Sequence, residues 1–308
     1  MFGQGEERVR IPLSTRCEGV PGGGMRRLDM WVIRATAVLS IFFVGWTAVS
    51  AKPLAAVQAS GSLRVAVYRN FPPFVEGPPE HPRGLEVELA AAIAKRLGVN
   101  VEYMVLAAGD DVDADLRNAI WRGPLVGGAV ADVMLHVPVD PRLAARNDKV
   151  LIFAPYYVEH IAVVTDPAQT GGDTLSDAFA NRKVGVEGGS LADSYLMGAF
   201  DGGLRNNVVH FLSVEEAIAA MQRGEVAGVM AQRSEIEGAL KEHRREYRIV
   251  AMPTPGLLIS SWSPGMAVKE DARDLADALE SIADAMIHDG SIAALFAKYG
   301  LTYTPPHE

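Results

Sequence analysis

The stretch that most constrains this chain is Leu63 to Leu97, LRVAVYRNFPPFVEGPPEHPRGLEVELAAAIAKRL. Leu63 to Val67 is a short β-branched run of the kind that fills a buried strand of a parallel sheet. Tyr68-Arg69-Asn70-Phe71-Pro72-Pro73-Phe74 must leave that sheet, because two prolines cannot donate ladder hydrogen bonds. After Gly84 the period becomes helical: Leu85, Leu89, Ile93 and Leu97 share a face, Glu86 and Glu88 stand in the first turn, and Gly98 follows Lys95 and Arg96 at the far end. A second strand, Val99 to Val105, comes next. Strand, loop, helix and strand form an α/β unit, and ligands bind beyond the carboxyl ends of such strands. Tyr68, Asn70, Phe71 and Phe74 are therefore either a binding loop or an aromatic cover for the sheet edge.

At 308 residues the chain accommodates two domains or one two-lobed one. Its net charge of −9 argues against a nucleic-acid partner. The single cysteine, Cys17, precedes an apolar segment with the layout of an export signal: Arg26-Arg27, an apolar run from Ala35 to Val49, then cleavage options at Val49-Ser50-Ala51 and Val57-Gln58-Ala59. The rival is an uncleaved anchor over Met30 to Ala51, against which Asp29 and Arg34 interrupt the stretch. Cleavage would leave a mature chain with no thiol, which excludes disulfide scaffolds and cysteine nucleophiles. Residues 1–24 read as an extension or a start site placed too far upstream.

Along the chain, Asp111, Asp113 and Asp115 have calcium-loop spacing, but Leu116 replaces the required glycine and Arg122 the bidentate glutamate, so a solvated helix start over Asp115 to Trp121 is expected. Gly123 to Gly128 lacks the lysine of a phosphate loop. Ala131 to Val137 is a buried strand that leaves His136 near its end, as a core or a site histidine. A second α/β series starts around Tyr157. In it Gly188-Gly189-Ser190 opens a helix, Ser190 and Asp193 fit a capping box, and Val226 to Ala231 delivers Gln232 to a strand end. Free N–H groups at that glycine-led start would suit an anion, whereas capping alone also explains Ser190. Leu275, Leu279, Ile282 and Met286 make one buried stripe of a C-terminal helix.

From Gly61 to Tyr303 the ordered set LRVAVYRNFPPF, GLEVELAAAIAKRLGVNVEYM, ADVMLHVP, IFAPYY, TLSDAFANRKVGVEGGSLADSYL and SVEEAIAAMQRGEVAGVMAQ resembles the periplasmic solute-binding proteins of ABC importers, family 3, the polar amino-acid binders. The resemblance implies a two-lobed α/β periplasmic-binding-protein fold of type II with two crossing segments, near Tyr157 and Pro255. Its implied division is an extension and signal over 1–59, lobe 1 over 60–157, lobe 2 over 158–255 and a return to lobe 1 over 256–304. It places a ligand among Tyr68, Asn70, Phe71, Phe74, Tyr157, Gly189, Ser190 and Gln232, and to this candidate set the residues themselves add Trp121 as a stacking ring and His136 as a hydrogen-bonding group.

Two departures from that family bear on the ligand. The segment after the DV strand, VPVDPRLAARNDKVLIF, lacks the matching threonine and puts Arg142 and Arg146 in uncertain register with the arginine that grips an amino acid's carboxylate. The position of the ammonium-binding aspartate is Gln232, and a neutral amide cannot compensate a buried ammonium. The resemblance thus implies a non-catalytic periplasmic protein that captures a small polar solute other than a standard α-amino acid, as a monomer serving an inner-membrane permease and without a cofactor. VPVD and DPRLAARND also resemble binding-protein-like partners of PQQ-dependent alcohol dehydrogenases, which implies a rival role as a non-transport accessory of a periplasmic quinoprotein. Catalysis is the weakest reading, since no Gly-x-Ser-x-Gly, His-x-x-His or His-Glu-x-x-His pattern is present.

Overall fold

The computed structural model describes residues 52–124, 127–167, 174–257 and 259–306. The expected export signal, Cys17 and the Ala51 cleavage option lie outside the described residues. Helix α1 (Leu54–Ser60) begins after Pro53 and closes on Gly61 in the left-handed conformation. Val57 is wholly buried, and the Leu54 N–H donates to Asp274 Oδ2 at 3.0 Å. Residues 54–59, which the sequence groups with the leader, are thus part of the folded body. A two-turn helix with two large apolar residues carries no signal that distinguishes it from the tail of an apolar leader.

The first lobe continues with β1 (Ser62–Tyr68), α2 (Leu85–Leu97), β2 (Asn100–Leu106), α3 (Val112–Leu116), β3 (Val133–Pro138), α4 (Pro141–Arg146) and β4 (Val150–Phe153). The single helix expected over Asp115 to Trp121 is two pieces: α3 ends at Leu116, and a π-helical turn, Arg117–Trp121, follows. The second lobe holds β5 (Glu159–Thr165), α5 (Leu175–Phe179), β6 (Val184–Glu187), α6 (Leu191–Gly202), β7 (Val208–Phe211), α7 (Val214–Gln222), β8 (Gly228–Gln232), α8 (Arg233–Leu240) and β9 (Arg248–Val250). The chain then runs through β10 (Ser261–Trp262) and β11 (Pro264–Lys269) to α9 (Arg273–His288) and α10 (Ser291–Lys298).

Two sheets organise the protein. One has the order β2-β1-β3-β11-β4, and the other β10-β5-β8-β6-β7 with β9 also on β5. Strands β1, β2 and β3 are parallel, as are β6, β7 and β8, while β11 and β5 run antiparallel to their neighbours. Each sheet is buried on both faces, which accounts for the continuous apolar runs in the sequence. The outward crossing is Ala154 to Val158. Because β10 pairs with β5 and β11 with β3, the return crossing is Ser263, eight residues beyond Pro255. After α10 the tail touches both lobes: Leu301 is buried in the first, while the Thr302 N–H donates to Glu237 Oε2 in α8 at 2.6 Å.

Candidate functional site

The carboxyl ends of β1, β3, β6 and β8 converge on a cavity of about 990 Å³ between the two sheets. This is the upper end of the size range of small-molecule pockets. It is closed at the back by Ser260 to Ser263 of the return crossing.

Lobe 1 builds the floor. The α2 N-terminus is clamped to the aromatic loop, since the N–H groups of Leu85 and Glu86 donate to the carbonyls of Pro73 and Phe74, each at 3.1 Å. Gly84 permits this approach, because a Cβ there would lie 2.2 Å from the Phe74 carbonyl oxygen. The clamp carries the Glu86 side chain inward. Above it, β3 pairs Val137 with Gly265 and Met134 with Ala267, so Leu135 and His136 together stand opposite Met266. This bulge puts His136 at φ +60° and breaks the alternation of the strand. Val133 and Leu135 face one core, Met134 and Val137 the other, and the imidazole turns to the cavity.

Two buried groups pin that imidazole. The His136 N–H donates to Tyr156 Oη at 3.0 Å, the Tyr156 hydroxyl donates to Glu86 Oε1, and His136 Nδ1 lies 2.7 Å from the same oxygen. With Nδ1 held from below, the ring meets the cavity through the edge that carries Nε2. Phe71 and Phe74 stand edge-on to it at 4.7 and 4.8 Å. A left-handed φ on a non-glycine residue costs on the order of 1–3 kcal/mol and persists only where surroundings over-determine it, as they do here.

Lobe 2 builds the opposite wall from Glu187, Ser190, Gln232 and Glu235. Burial, reinforced by Glu187 and Glu159, holds the Glu235 carboxyl well above the ordinary range. Burial and Glu215 likewise raise Glu187. Gln232 Oε1 is buried and has no donor among the described residues. Ser190 Oγ accepts the Asp193 N–H at 3.1 Å, and the Gly189 N–H donates to Asp193 Oδ2 at 2.9 Å. Asp193 therefore occupies the Gly189 N–H, one of those that could have held an anion.

Of the residues the sequence nominates, Tyr68, Asn70, Phe71, His136, Ser190 and Gln232 line the cavity. Four do not. Phe74 is fully buried beneath Phe71, and Tyr157 is buried in the lobe 1 core with its hydroxyl donating to Glu159 Oε2 at 3.4 Å. Trp121 packs against the cluster of Ala66, Leu116, Ile120 and Met134 without lining the cavity, and Gly189 is exposed. Phe74 and Tyr157 support the floor through ring contacts, since Phe74 reaches both His136 and Tyr157. Arg142 and Arg146 are exposed on α4, and Arg146 Nε pairs with Asp113 at 3.3 Å. Neither lines the cavity. Glu86, Glu187, Glu235 and Trp262 were missed. Glu187 had a usable signal, as the last residue of a strand before a glycine pair; Glu86 read as a solvated dipole partner, and nothing marked Glu235 or Trp262.

No protein-family model matches the chain, and no curated protein sequence matches it. Solved structures do match. An ancestral cationic amino-acid solute-binding protein superposes with a TM-score of 0.63 at 19% identity, over 80% of this chain and 99% of its own. An ancestral arginine-binding protein bound to arginine gives 0.54 at 25% identity, over 78% and 98%. An ABC uptake transporter substrate-binding protein from Streptococcus pneumoniae, with bound histidine, gives 0.57 at 14% identity, over 82% and 98%. The fold is the two-lobed type II fold of solute-binding proteins. Among the described residues no helix is long and apolar enough to cross a membrane, and no group of His, Cys, Asp and Glu is arranged to hold a metal ion.

Proposed function

We propose that this chain is an exported, periplasmic solute-binding protein that captures a small polar solute between its lobes and presents the closed form, as a monomer, to an ABC-type permease of the inner membrane. The observation that carries this reading is the cavity itself, whose floor comes from β1 and β3 and whose wall comes from β6 and β8. A solute that touches both walls has differential affinity for the closed form and so shifts the hinge, whereas one that touches a single wall shifts nothing. Catalysis has no part in this reading.

The solute is not a standard α-amino acid. Gln232 stands at the end of β8, where the family that the sequence resembles carries its ammonium-binding aspartate, and Arg142 and Arg146 lie outside the cavity. Asp140 borders the cavity instead, with Oδ1 accepting the Arg142 and Leu143 N–H groups at 2.9 and 2.8 Å. The test is thermal shift with small-angle scattering on the purified protein, against amino acids, amines, polyols and carboxylates. The reading expects silence from all twenty amino acids, and a rise in Tm with a smaller radius of gyration from another class. Tightest closure around a standard amino acid would refute it.

A second reading, an accessory protein of a periplasmic quinoprotein dehydrogenase, is favoured by α4. The DPRLAARND stretch that carries that resemblance stands on the surface with Arg142 and Arg146 outward. Co-elution of the protein with such a dehydrogenase, abolished by Arg142→Glu with Arg146→Glu, would support it, and independent elution would end it.

A further inference from the structure

Four charged side chains line the cavity, apart from His136: Asp140, Glu187, Glu235 and Arg69. Three are carboxylates, and Arg69 is exposed to solvent at the end of β1. Of the donors that could hold an anion, the Gly189 N–H is bonded to Asp193 and the α4 arginines lie outside the lining, which leaves Arg69 as its one basic side chain apart from His136. On the same wall Gln232 Oε1, buried and without a donor among the described residues, is an acceptor awaiting an N–H. Leaving a buried acceptor unpaired is costly, and a donor-bearing ligand removes that cost on binding. Facing this wall across the cavity are Phe71 and Tyr68, with Trp262 at the back, a set of rings suited to the face of a cation.

Resting on the solute-binding reading, we propose that the solute is an organic cation bearing N–H groups. Its charge sits between Glu187 and Glu235, one N–H donates to Gln232 Oε1, and its apolar body lies on Phe71 and Trp262. His136 forms part of the floor, its Nδ1 2.7 Å from Glu86 Oε1, which also accepts the Tyr156 hydroxyl. Glu86 is thus a positioning residue for His136. The elevated carboxyls of Glu187 and Glu235 agree with a wall short of positive charge when empty.

The test uses probes of equal carbon length and different charge: 1,4-diaminobutane, 1,4-butanediol and succinate, each titrated into the purified protein by calorimetry and thermal shift. The diamine should bind and raise Tm, while the diol and succinate do not. Glu235→Gln and Glu187→Gln should each weaken the diamine about tenfold or more with the fold retained by circular dichroism. Tetramethylammonium, a cation with no N–H, should bind at least tenfold more weakly than the diamine, and equal binding would overturn the donor requirement. Preference for succinate or the diol would overturn the cation assignment and leave solute capture standing. Failure of the diamine, agmatine and spermidine together with every solute of the wider panel would overturn both.

Discussion

Glu86 and Glu237 are equally buried, at 0% and 1% exposure, and their surroundings could hardly differ more. Glu237, on α8, has both oxygens occupied: Oε1 takes Arg233 Nε at 2.7 Å, Arg244 at 2.9 Å and the Thr302 hydroxyl at 2.9 Å, and Oε2 takes the Thr302 N–H. Glu86 has both its donors on one oxygen, and Oε2 has no partner among the described residues. Two guanidinium groups and a backbone N–H compensate a buried carboxylate almost completely, whereas a hydroxyl and an imidazole compensate it in part. The complete site fastens the C-terminal tail of lobe 1 to lobe 2. The incomplete one lies under the cavity and holds an imidazole in a strained backbone. Full compensation goes with architecture here, and partial compensation with the place where a ligand is expected.

Substitutions can break that contrast. Glu237→Ala strands two arginines beside the tail and should cost about 3–5 kcal/mol, read as a fall in the urea midpoint, while leaving the order of preferred solutes unchanged. Glu86→Gln should cost about 1.5–3 kcal/mol, the worth of hydrogen bonds to a charged group, but should weaken ligand binding more than Glu237→Gln does. Equal effects of the two on affinity would erase the distinction. Deleting residues 52–60 removes the burial of Val57 and should cost about 1.5–3 kcal/mol, read as a fall in the urea midpoint.

The smallest effect concerns the lobe 2 wall and has a definite sign. Glu159, Glu187 and Glu235 all have folded-state values raised by burial, so the folded protein holds their protons more tightly than the unfolded chain does. Their favourable contribution is complete below the ordinary glutamate value of 4.5 and is lost as pH rises through the folded values. The empty protein should therefore melt higher near pH 5 than near pH 7 as far as these groups decide it. Glu235→Gln should raise Tm at pH 7 and flatten that trend. Affinity for the diamine should run the other way, strengthening as pH rises and the carboxylates ionise. A Glu235→Gln variant that melts lower than the parent at pH 7 would contradict the unpaired, desolvated wall.

Much of the first α/β unit was legible. Strand Leu63 to Val67, the proline-stiffened loop and the four-residue spacing from Leu85 to Leu97 are local signals, and β1 and α2 obey them. Strand ends then lead to Tyr68, His136 and Gln232 by rule. The features that shape the floor are not local. The bulge that turns His136 arises from the pairing of β3 with β11, about 130 residues later, and nothing in ADVMLHVP announces it. Phe74 and Tyr157 look like ligand-stacking aromatics in sequence, yet each is enclosed by other rings, the neighbouring Phe71 and the distant His136 around one, the distant Phe296 beside the other. Glu86 carries the same sequence signature as Glu88, one inward and fully buried, the other half-buried and held by Lys298 at its own carboxylate. Which of two neighbouring acids faces in depends on the loop clamp at Gly84, a tertiary contact.

The most direct test of the account compares agmatine with L-arginine by calorimetry on the parent protein. The two differ only by the α-carboxylate, which would enter a cavity lined by Asp140, Glu187 and Glu235 with Arg142 and Arg146 outside it. The account predicts that agmatine binds at least tenfold more tightly than arginine and closes the lobes. Tighter binding of arginine would show that a carboxylate grip exists, and would contradict the assignment of this cleft to a cation without one.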